Sequence, residues 1–406
     1  MQLIREPKHF CQRGRNLVAH LLGSRLWAVH VSGPCRFRSD FSNRDFLDID
    51  GQSDSSVSLF FSRCSSGPSM QPSTPDSIFV SIASYRDPEA QHTIANLFAT
   101  AARPERISVG VCHQLQDSDR EHLFRVPYPR PDQVRELLMP AADATGPCLA
   151  RHRIQKELYG GEEYFLQFDS HMRCVEGWDD YLVAQLNAID APKPILTTYP
   201  AGYTLPEGGS NTWRDATLDD SAQPPFLVFS HFGEEDGMMR FSGRRLAHPQ
   251  SKPIPSMFCV SGFCFARGSL VKDCMYDPNL PMLFFGEETL MTLRMWTHGY
   301  DFYVPGRHVC YHLWERTHRP VFQRNEELRR QSLNRVRAII AGDEQGIEAE
   351  YGLGKERSVD DYFKYAGLDF TAKSFSERAR LGGLSEQDFY RPEATIDAVL
   401  ALLSKR

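Results

Sequence analysis

No stretch of this sequence reaches eighteen consecutive apolar residues, so it offers no membrane-spanning helix and no membrane anchor. The nearest candidate, LVAHLLGSRLWAVHV at 17–31, is short and is broken by His20, Arg25 and His30. That argues against a secretory signal. No two cysteines have CxxC spacing, which argues against a structural zinc site. No Asn-x-Ser/Thr triplet occurs, in keeping with a chain that avoids the secretory route. There is no Walker loop and no GxGxxG, so the chain is neither a P-loop nor a dinucleotide protein. A GxSxG nucleophile elbow is also missing. The net charge is −6, with both signs spread along the chain. That balance argues against a general nucleic-acid or membrane-surface binder.

What is there is a chain of 406 residues, long enough for one large domain or two. Its ten cysteines stand at 11, 35, 64, 112, 148, 174, 259, 264, 274 and 310. Several fall inside strand-like runs, such as Cys112 in ISVGVCHQ and Cys174 after DSH. Buried free thiols are the simplest account, and they suit a reducing, cytoplasmic setting. The first 38 residues hold seven Lys/Arg and one acid, Glu6. That bias fits an organelle transit peptide or a plain tail, and the tail is the simpler reading.

The pattern divides the chain into three parts. Residues 1–76 read as a poorly ordered leader, ending in a Ser-, Gly- and Pro-rich linker. Residues 77–320 carry strand and helix signals, and 321–406 read as a helical extension. IFVSIAS is a β-branched apolar run that should form a buried strand. EAQHTIANLFATAA then has helical spacing at Ile94, Leu97, Phe98 and Ala101, and ISVGVC is a second strand. Strand, helix, strand opens an α/β fold with parallel strands. CLARHRIQKELYGGE is a further helix closed by Gly160 and Gly161. EYFLQFD, PILTTYP, MFCVSGFCFARG and DFYVPG read as strands, and GWDDYLVAQLNAI and NEELRRQSLNRVRAII as helices. Residues 201–255 read as a loop-rich insertion that covers substrate.

Three constellations could carry chemistry. The first is Asp169 and His171, where an apolar strand runs into FDSH. Alternation along a strand puts both side chains on one side, at the carboxyl end where α/β sheets bind ligands. An oxygen and a nitrogen ligand on one face suit a divalent metal, manganese first and magnesium second. A bare D-x-H is more often an idle solvated pair, but the strand before it and the turn after it favour the metal. His312, in RHVCYHLW, is the candidate third ligand, with His308 and His318 competing. A lone histidine is more often a core or surface residue than a ligand.

The second constellation is FFGEETLMTLRMW. Acids at a helix start usually complement its dipole. The functional reading of Glu287 and Glu288 is a cleft carboxylate that binds sugar hydroxyls or polarises an acceptor hydroxyl. The third is SIASYRDPE at the first crossover, where Ser81, Ser84, Tyr85, Arg86 and Asp87 offer hydroxyls, a ring, a phosphate partner and a ribose acceptor. Arg151 and Arg153 add positive charge at a helix start. Salt-bridged surface arginines are the bland alternative there.

In order along the chain, IFVSIASYRDPE, GPCLARHRIQKELYGGEEYFLQFDSHMRCVEGWD, ILTTYP, GFCFARG, LPMLFFGEETLMTLRMWTHGYDFYVPG and YHLW resemble motifs of the polypeptide hydroxyproline N-acetylglucosaminyltransferases. The resemblance spans about 77–370; mucin-type polypeptide N-acetylgalactosaminyltransferases are a more distant likeness. It implies a GT-A type α/β fold with a mixed, mostly parallel central sheet. It also implies a UDP-GlcNAc donor, a divalent metal, retention at the sugar carbon and a protein or peptide acceptor. By the same resemblance Asp169, His171 and His312 would hold the metal. Ser81, Ser84, Tyr85, Arg86, Asp87, Arg151 and Asp169 would bind the donor. Glu287 and Glu288 would be the catalytic pair facing donor sugar and acceptor, and Trp178 and Asp179 would brace the metal loop. A catalytically silent carbohydrate- or protein-binding module on the same fold is the alternative, and a metal-dependent hydrolase a third reading. Only the transferase needs the whole metal set and the donor arginines.

Overall fold

A computed structural model describes residues 75–391 except 321, 323, 324 and 344, together with the backbone of 16–22 and 25–31. The chain separates into two compact units, 1–69 and 70–406. In the first, Asn16–Leu22 and Arg25–Val31 pair as an antiparallel hairpin. The expected linker lies outside the described residues, as does most of the expected leader and the end of the helical extension.

In the second unit the apolar runs build one eight-stranded sheet. Its order is Ile254–Ser256, Asp301–Val304, Pro194–Thr197, Phe263–Arg267, Tyr164–Asp169, Ile78–Tyr85, Ile107–Leu115, Val134–Pro140. The four strands from Tyr164–Asp169 to Val134–Pro140 are parallel to one another. Phe263–Arg267 runs antiparallel to both of its neighbours. The sheet is therefore mixed and mostly parallel, as expected.

Period-two alternation splits the core into two layers. Ile78, Val80 and Ile82 face one side with Val109, Val111, Leu166 and Phe168, under Ile94 and Leu97 of the helix Glu89–Thr100. Phe79 and Phe165 face the other side with Cys148, Ala150 and Ile154 of the helix Pro147–Glu157. Each of these side chains is almost wholly removed from water. At about 1.5–3 kcal/mol per large apolar side chain, this burial is what holds the sheet between its helices.

Two readings need correction. Residues 201–255 are not an unstructured insertion: they carry Ala201–Thr204, Pro225–Phe232, Met239–Arg245 and Ile254–Ser256. Pro225–Phe232 and Met239–Arg245 pair as a hairpin whose apolar side chains enter the core. The stretch MFCVSGFCFARG is a strand only from Phe263 to Arg267. Trp178 and Asp179 direct their hydrogen bonds away from the metal loop, and Trp178 meets its outgoing strand Met172–Cys174 only within the apolar core. The Trp178 indole N–H donates to Leu97 O at 3.1 Å. Asp179 accepts from the backbone of Ala102 and Arg103 and from the Arg106 guanidinium. They lock the helix Glu89–Thr100 to the strand that follows it.

Beyond 325, the helix Glu326–Ile340 begins at Asn325, whose side chain accepts from Leu328 N–H. It buries Leu333, Val336 and Ile339 on one face. The helix Val359–Ala366 follows, capped by Ser358 and ended by Gly367 at φ 69°.

Candidate metal and sugar-nucleotide site

The Asp169–His171 segment is a corner between two sheets. Tyr164–Asp169 ends in the large sheet, Ser170 and His171 turn, and Met172–Cys174 enters a small second sheet. The two side chains therefore come together through the bend, because the strand stops before His171. Gly262 makes room for the corner: a Cβ there would lie 3.0 Å from Asp169 Oδ2. The backbone N–H of Asp169 donates to Gly262 O at 3.2 Å.

His312 arrives by strand register. Cys310–His312 runs antiparallel to Met172–Cys174, with His312 opposite Met172. Leu313 N–H donates to His171 O at 3.1 Å and closes the pairing. The two imidazole rings are thus brought to 4.6 Å between centroids, and His312 Nε2 lies 3.4 Å from Asp169 Oδ2. One ligand atom from each of Asp169, His171 and His312 falls within 4.8 Å of the others. With bonds of about 2.1 Å, neighbouring ligands of one cation sit about 3 Å apart, so these residues fit a divalent metal with small adjustment.

Electrostatics prepare the set for a cation. Burial pushes the Asp169 carboxyl up, but His312 and Arg151 outweigh it and hold the acid below the usual carboxylate range. Burial pulls the His312 ring down to about 4 against the pull of Asp169, leaving a neutral imidazole with a free lone pair. Asp87 is held well below the carboxylate range: burial opposes ionisation, but His171, His318 and Arg319 more than offset it. The ionised Asp87 Oδ2 lies 2.7 Å from His171 Nδ1. That assigns the proton to Nδ1 and leaves Nε2 as the ligating atom.

Arg151 sits behind this corner, 6% exposed. Its Nη2 donates to Asp169 Oδ1 at 3.1 Å and to Ser261 O at 3.3 Å, and its Nη1 closes on Glu287. Burial works against this charge, and the Glu287, Tyr276 and Asp169 fields more than restore it. Glu287 is buried and also accepts from Tyr276 Oη at 2.8 Å. Its neighbour Glu288 is only half-buried and accepts from Ser261 N–H at 3.0 Å. Burial, with Glu287 and Asp169 nearby, raises the Glu288 carboxyl to about 7. The two acids thus separate: Glu287 is a fixed structural charge, and Glu288 is the one open to a ligand. Gly286, at φ 114°, makes the turn that starts their helix.

The first-crossover residues divide. Asp87 is fully buried and belongs to the metal corner. Arg86 forms a bidentate pair with Asp119, at 2.7 and 2.8 Å. It lines a cavity of 710 Å³ with Pro88, His92, Arg125, Ser210 and His318, a size usual for small-molecule sites. Tyr85 packs edge-on against Phe322. The Ser81 and Ser84 hydroxyls are buried without a hydrogen-bond partner. Arg153 instead pairs along its own helix with Glu157 at 2.7 Å, an ordinary surface bridge. His308 stacks on Tyr311 and is not one of the clustered ligands.

Sequence reasoning missed Gln167, Tyr276 and Ser261. Gln167 Nε2 donates to Ser261 O at 2.6 Å and to Tyr276 Oη at 2.9 Å, which ties the strand to the loop behind Arg151. Gln167 carried a signal, being two residues from Asp169 on the same face. Tyr276 and Ser261 carried none, because only long-range packing brings them in.

The glycosyltransferase (GlcNAc) family model matches residues 77–128 and 125–372, and the chain belongs to that family. No curated protein matches the chain. Among solved structures, GalNAc-T7 with UDP, GalNAc and Mn2+ is similar at 12% identity and a TM-score of 0.47. That match covers 71% of this chain and 56% of the other, so the chain spans little more than half of that relative. S. aureus TarS 1-349 in complex with UDP-GlcNAc is similar at 13% identity and a TM-score of 0.41, covering 68% and 71%.

Proposed function

We propose that the protein transfers N-acetylglucosamine from UDP-GlcNAc to a protein hydroxyl, of hydroxyproline type by resemblance, with a divalent cation and retention at the sugar carbon. The carrying observation is the Asp169–His171–His312 cluster beside Arg151, in a chain of the GlcNAc glycosyltransferase family. Manganese is the first choice and magnesium the second, since two imidazoles and one carboxylate favour the former. A bound cation would act as a Lewis acid on the diphosphate leaving group.

The chain's own residues supply the rest. Asp169, His171 and His312 would hold the cation. Ser81, Ser84, Tyr85 and Arg86 would line the nucleoside side, where buried hydroxyls lack partners. Arg151 keeps Asp169 ionised and in place. Glu288 would accept a hydroxyl of the sugar or of the acceptor and orient it, while Glu287 anchors Arg151. Among the described residues no side chain is set as a covalent nucleophile, so the acceptor would attack on the face from which UDP leaves. The acceptor's proton would pass to the departing phosphate oxygen.

The test is UDP release from a panel of UDP-sugars with manganese, by wild type and Asp169→Ala. Release from UDP-GlcNAc alone, lost in the variant, is the expected result. Release that survives Asp169→Ala would sink the metal assignment.

A further inference from the structure

Asp87 lies at the meeting point of three segments. It follows the first strand, and its Oδ1 accepts the Glu89 N–H at 3.0 Å at the start of the helix Glu89–Thr100. Its Oδ2 accepts from Ser170 Oγ at 2.6 Å and from His171 Nδ1 at 2.7 Å, at the corner between the sheets. His318 Nε2 stands 3.2 Å from Oδ1 and Arg319 Nε 3.7 Å from Oδ2, both from the segment after His312. The carboxylate has no exposed surface.

Two assignments compete for this group. Its place at the first crossover would make it a ribose acceptor, and its clustering with His171 and His318 would make it a ligand of another cation. A carboxylate offers about four lone-pair directions. Glu89, Ser170 and His171 occupy three, and the His318 ring stands 3.2 Å from Oδ1 without completing a hydrogen bond. Fully buried and already holding three hydrogen bonds, the carboxylate is better placed to orient its neighbours than to meet a ribose hydroxyl or a second metal.

We propose that Asp87 is a positioning residue, resting on the reading of Asp169, His171 and His312 as the metal set. It fixes His171 with the proton on Nδ1 and the Nε2 lone pair toward Asp169 and His312. Without it nothing holds the ring's proton on Nδ1, and a proton on Nε2 would block ligation. Outer partners of this kind are worth about 10–100-fold in metal affinity. The same carboxylate ties the His318–Arg319 segment to the corner. That gives His171 and the chain following His312 one common anchor.

The test uses the full chain, metal-free, with Mn2+ alone as the probe. Free Mn2+ is followed by electron paramagnetic resonance during titration of wild type and Asp87→Asn. The expected result is a Kd raised about 10–100-fold. A Kd within about twofold of wild type overturns the proposal. A second readout needs no metal: nitrogen-15 correlation spectra of labelled histidine, with His171 assigned from a His171→Gln control. Wild type should show His171 protonated at Nδ1, and Asp87→Asn should lose that form. If wild type binds no Mn2+ yet shows this tautomer change, the metal reading fails and the orienting role of Asp87 stands. An unchanged tautomer overturns the role itself. Should Asp87→Asn not fold, Ser170→Ala removes one donor that fixes the Asp87 carboxylate. It should weaken Mn2+ by about fivefold, the worth of one hydrogen bond; no change would count against the proposal.

Discussion

Arg151 Nη2 lies 3.1 Å from Asp169 Oδ1, and the same guanidinium is clamped from behind by Glu287. The arginine therefore has two jobs, one in the fold and one at the site. Arg151→Ala would strand Glu287 as a buried, unpaired charge. Breaking such a pair costs about 3–5 kcal/mol, and urea unfolding should read a loss of that size. The double variant Arg151→Met, Glu287→Leu should regain much of the stability, since apolar replacements of buried pairs are often close to neutral. It should not regain transfer, because Asp169 would still lack its partner. Recovery of transfer with stability would show that Arg151 serves only the fold.

This arrangement also marks how far the sequence could be read. IFVSIASY and EYFLQFD announce buried strands through β-branched and aromatic runs, and NEELRRQSLNRVRAII announces its helix through apolar spacing. Val134–Pro140 went unread: as the sheet's edge strand it leaves Leu138 half-exposed, which blurs the alternation. Asp169 and His171 were paired for the wrong reason, since a strand continuing to His171 and a corner ending at Asp169 look alike in sequence. His312 was found by its aromatic surroundings and placed by pairing across 140 residues, which no local pattern encodes. Glu287 and Glu288 look equivalent as letters. Only the partners Arg151, Tyr276 and Ser261 separate the buried anchor from the open acid.

Removing the cation should be visible without any transfer assay. A ligand that binds only the folded chain stabilises it by about 2.7 kcal/mol at a hundredfold excess over Kd. Manganese with UDP should therefore raise the Tm of wild type, and a chelator should reverse the shift. His312→Ala should abolish the manganese-dependent part while leaving the metal-free Tm within a few degrees. A shift that survives in His312→Ala would place the cation elsewhere.

Glu288 gives a pH dependence with a definite sign. Its carboxyl is raised to about 7 in the folded chain, against about 4.3 in an unfolded one. The folded state therefore holds its proton more tightly. That contribution to stability is complete below about pH 4 and is lost as pH rises through about 7. Wild type should lose stability relative to Glu288→Gln between about pH 5 and about pH 8, measured as the difference in urea midpoints. The pH profile of kcat/KM should carry a rising limb if the ionised acid orients the ligand. A bound cation offsets the Asp169 charge, so that limb should fall below 7. Glu288→Gln should remove it, and a limb that persists in that variant would belong to another group.

The thiols supply a test of the core that is independent of the site. Seven cysteines, 112, 148, 174, 259, 264, 274 and 310, are free and buried among the described residues. Burial raises the Cys112 thiol to about 11 and the Cys274 thiol to about 12. Cys174 and Cys310 face each other across the strands that carry the metal corner, and burial raises both. The thiolate is the reactive form, so at about pH 8 Cys112, Cys174, Cys274 and Cys310 have both a closed environment and very little nucleophile, and Cys259 is closed off by burial. A variant with Cys11, Cys35 and Cys64 changed to Ser should react negligibly with a disulfide reagent while folded. In denaturant the same variant should release all seven thiols. Fast labelling of the folded variant would mean that one of the two core layers opens more often than its packing allows. Mass mapping would then tell the corner pair Cys174 and Cys310 from the layer that holds Cys148 and Cys264.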